Sequence, residues 1–232
     1  MDLVFSGFRR AFEMLINFDP ELMVIIWTTL KVGASSIVLS VMIGIPLGML
    51  IGLKSFVGKR ILLTIVHVGM GLPPVVAGLW VTMALWRNGP LGNLSLLYTK
   101  EAIVIAQVLV AVPIIIGLTA TAFQNIDRNM FLLIKSLGAT RWQRMFLLIK
   151  ETRFALYAAI IAGFGRVYAE VGAAMMVGGN LKGDTRILTT SIVMEVSKGN
   201  FDVAIALSII LMAIAFILTL VLTFFQQRSK PL

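Results

Sequence analysis

Residues Gln124–Arg153 read QNIDRNMFLLIKSLGATRWQRMFLLIKETR, with Gly138 near the middle and six basic residues at Arg128, Lys135, Arg141, Arg144, Lys150 and Arg153. Long apolar segments flank this block on both sides. So much charge between two membrane spans is too costly for hydrocarbon and belongs in water. Its excess of Lys and Arg places that water on the cytoplasmic side.

The composition agrees. Of 232 residues, 59% are hydrophobic and only 13% charged, and the mean hydropathy is +0.96. A soluble domain of this size needs a larger charged surface, so the chain is an all-α integral membrane protein. The net charge of +9 would suit nucleic acid. Its basic residues, however, fall in gaps between apolar runs and make no continuous face; membrane topology accounts for them. Without cysteine there is no disulfide, thiol chemistry or Cys-based metal site. The single histidine, His67, lies in an apolar stretch, where a buried, hydrogen-bonded imidazole is expected. No cofactor and no metal site is expected.

Residues 1–19 lack the apolar core and cleavage site of a signal peptide. Val4, Phe5, Phe8, Phe12, Leu15 and Ile16 share one helical face, and Arg9, Arg10 and Glu13 the other. This predicts a helix in the membrane interface, ended by Asp19-Pro20. Five apolar segments follow, at about Met23–Leu53, Ile61–Trp86, Ala102–Phe123, Phe154–Gly179 and Val203–Phe225; each is long enough to cross, since a span needs about 20 apolar residues. With no internal repeat, residues 1–232 read as a single membrane domain holding a cytoplasmic loop at 124–153. Lys54, Lys59, Arg60, the central loop, Arg228 and Lys230 fall on one side. Arg9, Arg10, Arg87, Lys100, Lys182, Arg186 and Lys198 fall on the other. The richer side is cytoplasmic, which puts the N-terminus outside and the C-terminus inside.

Ser36, Ser40, Gly44, Gly48 and Gly52 repeat every fourth position, a flat stripe for close helix approach. Packing within the chain and a contact between subunits both fit it. Gly71, Pro73 and Pro74 interrupt the second span, and Pro113 predicts a similar break in the third. Such breaks are tolerated at membrane depth when buried in protein or facing a water-filled cavity. Arg166 and Glu170 lie deep in the fourth segment, where ionisable groups are rare. Four residues apart on a helix they share a face. They form either a helix-locking salt bridge or the wall of a path, with Arg166 offering a forked donor to an oxyanion. A short helix at Asp184–Ser197 is predicted on the outer face or dipping in as a re-entrant element that could close the outer mouth, with Ile187, Leu188, Ile192 and Val196 toward lipid or protein and Asn200 capping the last span.

Chemistry of other kinds is absent. Gly52–Arg60 approaches a phosphate-binding loop at Gly58-Lys59, but its glycine spacing is too long and Arg60 stands where Ser or Thr should ligate magnesium. No nucleophile–base pair is present, so the chain is not expected to be an enzyme. An ATP-independent secondary transporter would need paired intramembrane carboxylates, and Glu170 is the single acid well inside a span. A membrane scaffold would gain nothing from a deep Arg and Glu.

Lys135-Ser136-Leu137-Gly138-Ala139-Thr140-Arg141 and the residues to Arg144 resemble the cytoplasmic coupling loop of permease subunits of bacterial ABC importers. Gly138 matches that loop's glycine. Its Glu-Ala-Ala positions hold Leu132, Leu133 and Ile134, and its Ile and Leu-Pro positions hold Leu148, Lys150 and Glu151. Gly71–Gly78, Arg87–Gly92, Gly163–Gly172, Val177–Asn180 and Thr185–Thr190 are similar, in order and spacing, to the molybdate and tungstate permeases, the tungstate branch above all. The resemblance covers nearly the whole chain. It implies a homodimer in the bacterial inner membrane with a path between two copies. It further implies a separate cytoplasmic ATPase docked on Lys135–Arg141 and an external oxyanion-binding protein, with membrane lipid around the spans and no nucleic acid. The path or gate would comprise Arg166, Glu170, Pro73, Pro74 and Gly71; the outer mouth, Gly178, Gly179, Asn180, Thr185 and Arg186. Tungstate, molybdate and sulfate share charge and shape, so sulfate or another anion stays open as the substrate.

Overall fold

The structure, a computed structural model, describes residues 2–228, with the side chains of residues 2–5, 128, 131, 135 and 228 outside the description. Val4 and Phe5 of the expected apolar face, Lys135 of the coupling loop and Arg228 and Lys230 of the inner terminus therefore lie, as side chains or entirely, outside the described residues. The described residues contain no strand. In order the helices are α1 (Asp2–Ile16), α2 (Pro20–Leu53), α3 (Lys59–Met70), α4 (Pro74–Leu85), α5 (Lys100–Gln124), α6 (Arg128–Ser136), α7 (Arg141–Tyr168), α8 (Gly172–Gly178), α9 (Leu188–Ser197) and α10 (Phe201–Arg228).

Three helices, α2, α5 and α10, are long and apolar enough to cross a membrane, or four spans if α3 and α4 count as one. The fourth predicted segment lies within α7, which starts at Arg141 rather than Phe154 and runs 28 residues. Its first turns carry Arg144, Lys150, Glu151 and Arg153, so its early start was hidden by charge.

The core is the α2–α5 pair. The small-residue stripe faces α5 inside the chain, so of the two readings left open the structure takes the first. A Cβ at Gly44 would lie 2.7 Å from Ile115 Cγ2, and one at Gly48 would lie 2.8 Å from the Ile116 carbonyl oxygen. Ser36 Oγ donates to Gln107 Oε1 at 2.7 Å, tying the middle of α2 to α5. Asp19 accepts from the Glu21 and Leu22 N–H groups to start α2, with Pro20 at the first helical position. Lys59 Nζ donates to the Gly52 and Lys54 carbonyls, so the phosphate-loop look-alike is a cap on the end of α2.

Several expectations are corrected. Pro113 makes no break, because α5 is continuous through it, and Gly69 packs against its ring, where a Cβ would sit 2.9 Å away. Neighbouring helices re-satisfy such positions in membranes. His67 is exposed, since α3 buries only Val66. The outer short helix begins at Leu188 and not Asp184; Thr185 ties up the residues before it. Val196 is exposed while Ile187 and Leu188 are buried. Asn200 precedes α10, its backbone carbonyl accepting from the Ala204 N–H at 3.0 Å, while its side-chain amide donates to Glu195 Oε2 at 2.7 Å. The α1 face that packs on α10 is Gly7 and Ala11, where a Cβ on Gly7 would meet Ile205 at 2.3 Å, while Phe8, Phe12 and Ile16 point outward.

Candidate functional site

The second span is an elbow. Pro73 and Pro74 lack N–H groups and cannot continue α3, and α4 leaves α3 at 102°. The Val76 and Ala77 N–H groups both turn to the Pro73 carbonyl. The Leu72 carbonyl is thereby left without a helical donor.

The fourth segment is also interrupted. α7 ends at Tyr168, and the seven-residue α8 starts at Gly172. Arg166 and Glu170 consequently share no helix face, and they form no ion pair. Glu170, 2% exposed, lies past the end of α7, and its Oε1 accepts from the Ala173 N–H at 2.7 Å, which caps α8. Arg166, whose charge still acts on Glu170, donates from Nη2 to the Leu72 carbonyl at 2.9 Å. Its Nε is buried with no acceptor. The two breaks are neighbours in space: a Cβ on Gly172 would lie 2.9 Å from Val75 Cγ2.

Gly71 and Pro73 are exposed at this elbow, and Pro74 is half-buried. The adjoining face of α7 exposes Ala155, Ala158, Ala162 and Gly165, and Ala169 just past its end is exposed too, with no large apolar side chain exposed from 150 to 169. By contrast, α2 and α10 expose Trp27, Met42, Met212 and Phe216, as lipid-facing helices do. The small face of α7 is built for close approach by something other than lipid tails.

The predicted outer-mouth residues form a brace. Thr185 is fully buried; its hydroxyl donates to the Gly178 carbonyl and accepts from the Leu181 N–H. Gly178 is buried, and Gly179 takes φ +66° beside Tyr98. Asn180 Oδ1 accepts from Thr190 Oγ1 at 2.9 Å. Arg186 Nη1 pairs with Glu21 Oε1 at 2.9 Å, and Lys182 with the other Glu21 oxygen at 2.6 Å. Arg186 is thus committed to the start of α2. Glu195 closes the same end. Burial opposes its charge, but hydrogen bonds from Lys198 and Asn200, with the Lys198 and Arg186 charges, hold its carboxyl below the ordinary 4.5.

At the opposite end, α6 stops at Ser136, Gly138 takes φ +70°, and Thr140 caps α7 with a reciprocal bond to Gln143. Helix resumes at Arg141. Ile134 anchors α6 against Phe123, Leu148 and Leu156. Leu132, Leu133, Leu137, Trp142 and Phe146 are exposed around the turn, amid Arg141 and Arg144.

Residues 44–231 match the model of the family described as binding-protein-dependent transport system inner membrane component. The chain belongs to this permease family. The permease is 38% identical over 228 residues to the tungstate uptake system permease protein TupB of Peptoclostridium acidaminophilum, covering 98% of this chain and 100% of that protein. It is 40% identical over 221 residues to TupB of Campylobacter jejuni, covering 95% and 92%. A bacterial alginate ABC transporter, solved with its pentasaccharide-bound periplasmic protein, shares the permease's fold at TM-score 0.80 and 16% identity, covering 97% of this chain and 86% of that one.

Sequence reasoning passed over two polar residues. Gln107, 3% exposed, accepts from Ser36 and donates to the Val167 carbonyl at 3.4 Å, joining α2, α5 and the end of α7. A lone amide in an apolar run was its visible signal. Lys31 stands over the Trp27 ring, 5.1 Å from its centroid, on the exposed side of α2.

Proposed function

We propose that this chain is the permease subunit of an ATP-driven importer for a tetrahedral oxyanion, tungstate first and molybdate next. Residues 1–232 act as one permease domain. The observation that carries the reading is the meeting of two interrupted spans at the Arg166 guanidinium, in a chain that matches two tungstate uptake permeases over nearly its full length. A deep cation beside broken backbone suits a dianion, which must exchange its water for donors. Arg166, Gly71, Pro73 and Pro74 belong to the path or its gate, while Glu170 holds α8 in place behind them.

Two copies complete the path, the small-residue face of α7 lying toward the second copy or the path itself. The exposed apolar cluster around Gly138 supports docking of a separate ATPase on Lys135–Arg141, and the Gly178–Arg186 brace supports delivery by an external binding protein at the other end. The N-terminus is outside and the C-terminus in the cytoplasm, the orientation that puts the basic central loop inside.

Uptake by proteoliposomes holding the complete transporter tests this. ATP-dependent tungstate accumulation, competed by molybdate more strongly than by sulfate, is the expected result. Accumulation of sulfate in preference to both would reassign the substrate, and uptake without ATP would remove the ATPase from the scheme.

A further inference from the structure

We propose that the Arg166–Leu72 contact is the closed form of an oxyanion-sensing latch, in which a backbone carbonyl closes one of the two guanidinium forks that the incoming dianion can claim. This rests on the oxyanion-permease reading above and names the element by which occupancy of the path is sensed.

Three features of the contact lead to it. The first is the donor used. The two forked edges of a guanidinium pair Nη2 with Nε and with Nη1, each through a different Nη2 hydrogen, so the Leu72 carbonyl, which takes one of them, closes one of the two forks an oxyanion could use. A charge-assisted bond to a dianion is stronger than one to a neutral carbonyl, so the carbonyl is the weaker competitor.

The second is the donor left over. Nε is buried with nothing to receive its hydrogen, a cost carried by the closed state. Rotation of the guanidinium toward an oxyanion removes that cost. The closed state is therefore held only modestly, as a switch requires.

The third is position. Leu72 is the joint between α3, which rests on the C-terminal half of α5, and α4, which rests on α8 and on the N-terminal half of α5. Gly78 lies so close to α8 that a Cβ there would be 2.7 Å from Ala173 Cα, so α4 and α8 move together or not at all. Arg166 sits in the last turn of α7, whose first turn follows directly on Gly138 and Thr140. One continuous helix thus runs from the elbow to the proposed ATPase-docking turn. Breaking the Arg166–Leu72 bond frees the elbow at one end of α7, and by linkage whatever moves the other end changes the strength of that bond.

The test uses the complete transporter in proteoliposomes. The chain has no cysteine, so spin labels at Ile65→Cys on α3 and Met83→Cys on α4, both exposed, report the elbow by their separation. In the otherwise unchanged transporter, tungstate-loaded binding protein should shift the distance distribution. Arg166→Gln should show the shifted distribution without tungstate, and its ratio of stimulated to unstimulated ATP hydrolysis should fall to about one. Arg166→Lys can still bond Leu72 but cannot fork an oxyanion; it should keep the resting distance and lose the tungstate response. A resting distance unchanged by Arg166→Gln in an assembled complex would overturn the latch, as would a normal tungstate response in Arg166→Lys. If the labelled transporter accumulates no oxyanion at all, the substrate assignment fails instead, and the anion-free comparison of Arg166→Gln still decides whether this bond holds the elbow.

Discussion

Glu170 places its buried carboxylate at the start of α8, accepting from the Ala173 N–H, with the Arg166 charge acting on it as well. Stranding the Ala173 N–H costs about 1–3 kcal/mol. Glu170→Ala should therefore lower the Tm of the solubilised permease clearly more than Glu170→Gln, whose amide oxygen still accepts; equal Tm values would shift the role from acceptor to charge. Gly138 shows the opposite case, with φ +70° and no atom within 4 Å of a built Cβ. A side chain there meets strain but no clash, about 1–2 kcal/mol for an ordinary residue in the left-handed region, and less for Asn. Gly138→Val should lose most of the copurifying ATPase and Gly138→Asn should keep it; retention by both would separate the turn from docking. Glu195 carries a pH dependence. Its folded value lies below the unfolded one, so its stabilisation is complete above the ordinary carboxylate range and drains away as pH falls below 4.5. Melting curves across that range should show a shallower acid decline for Glu195→Gln; an unchanged slope would rule the group out.

Between helices, the glycines sort by what they touch. A Cβ at Gly48 meets a backbone carbonyl, that of Ile116, at 2.8 Å, while one at Gly163 meets only the outer atoms of Ile115, at 2.8 and 2.9 Å. Overpacking of this kind typically costs about 1–3 kcal/mol. Gly48→Ala should force α2 from α5 with no side-chain remedy. Gly163→Ala should recover when combined with Ile115→Ala, beyond the sum of the two single effects, and thermal unfolding of the four-member cycle measures it. Strict additivity would mean that α7 moves away rather than pressing on Ile115. The same scale explains the proline difference. Pro46 and Pro113 lie within continuous helices, whereas Pro73 and Pro74 are consecutive, follow Gly71, and end one.

For the whole molecule, the charge asymmetry makes a topological prediction. Single cysteines at Lys198→Cys and Arg141→Cys, in a chain with no other, should label oppositely with a membrane-impermeant maleimide: the first in intact cells, the second only after permeabilisation. The reverse pattern would invert the permease and put the Gly138 turn out of an ATPase's reach. Membrane class, the apolar segments, the central loop and the α2 stripe were legible in the sequence. Transfer of each residue between water and hydrocarbon is a local quantity that sums along the chain, and a small-residue repeat is a local shape. The partners of Arg166 and Glu170 were not legible. Their spacing implied one helix face, but α7 stops at Tyr168 between them. The carbonyl that Arg166 bonds lies 94 positions away and is available only because the elbow withdraws its helical donor. Where a helix ends inside a membrane depends on which neighbour can satisfy its orphaned backbone groups, and that is settled when the helices pack.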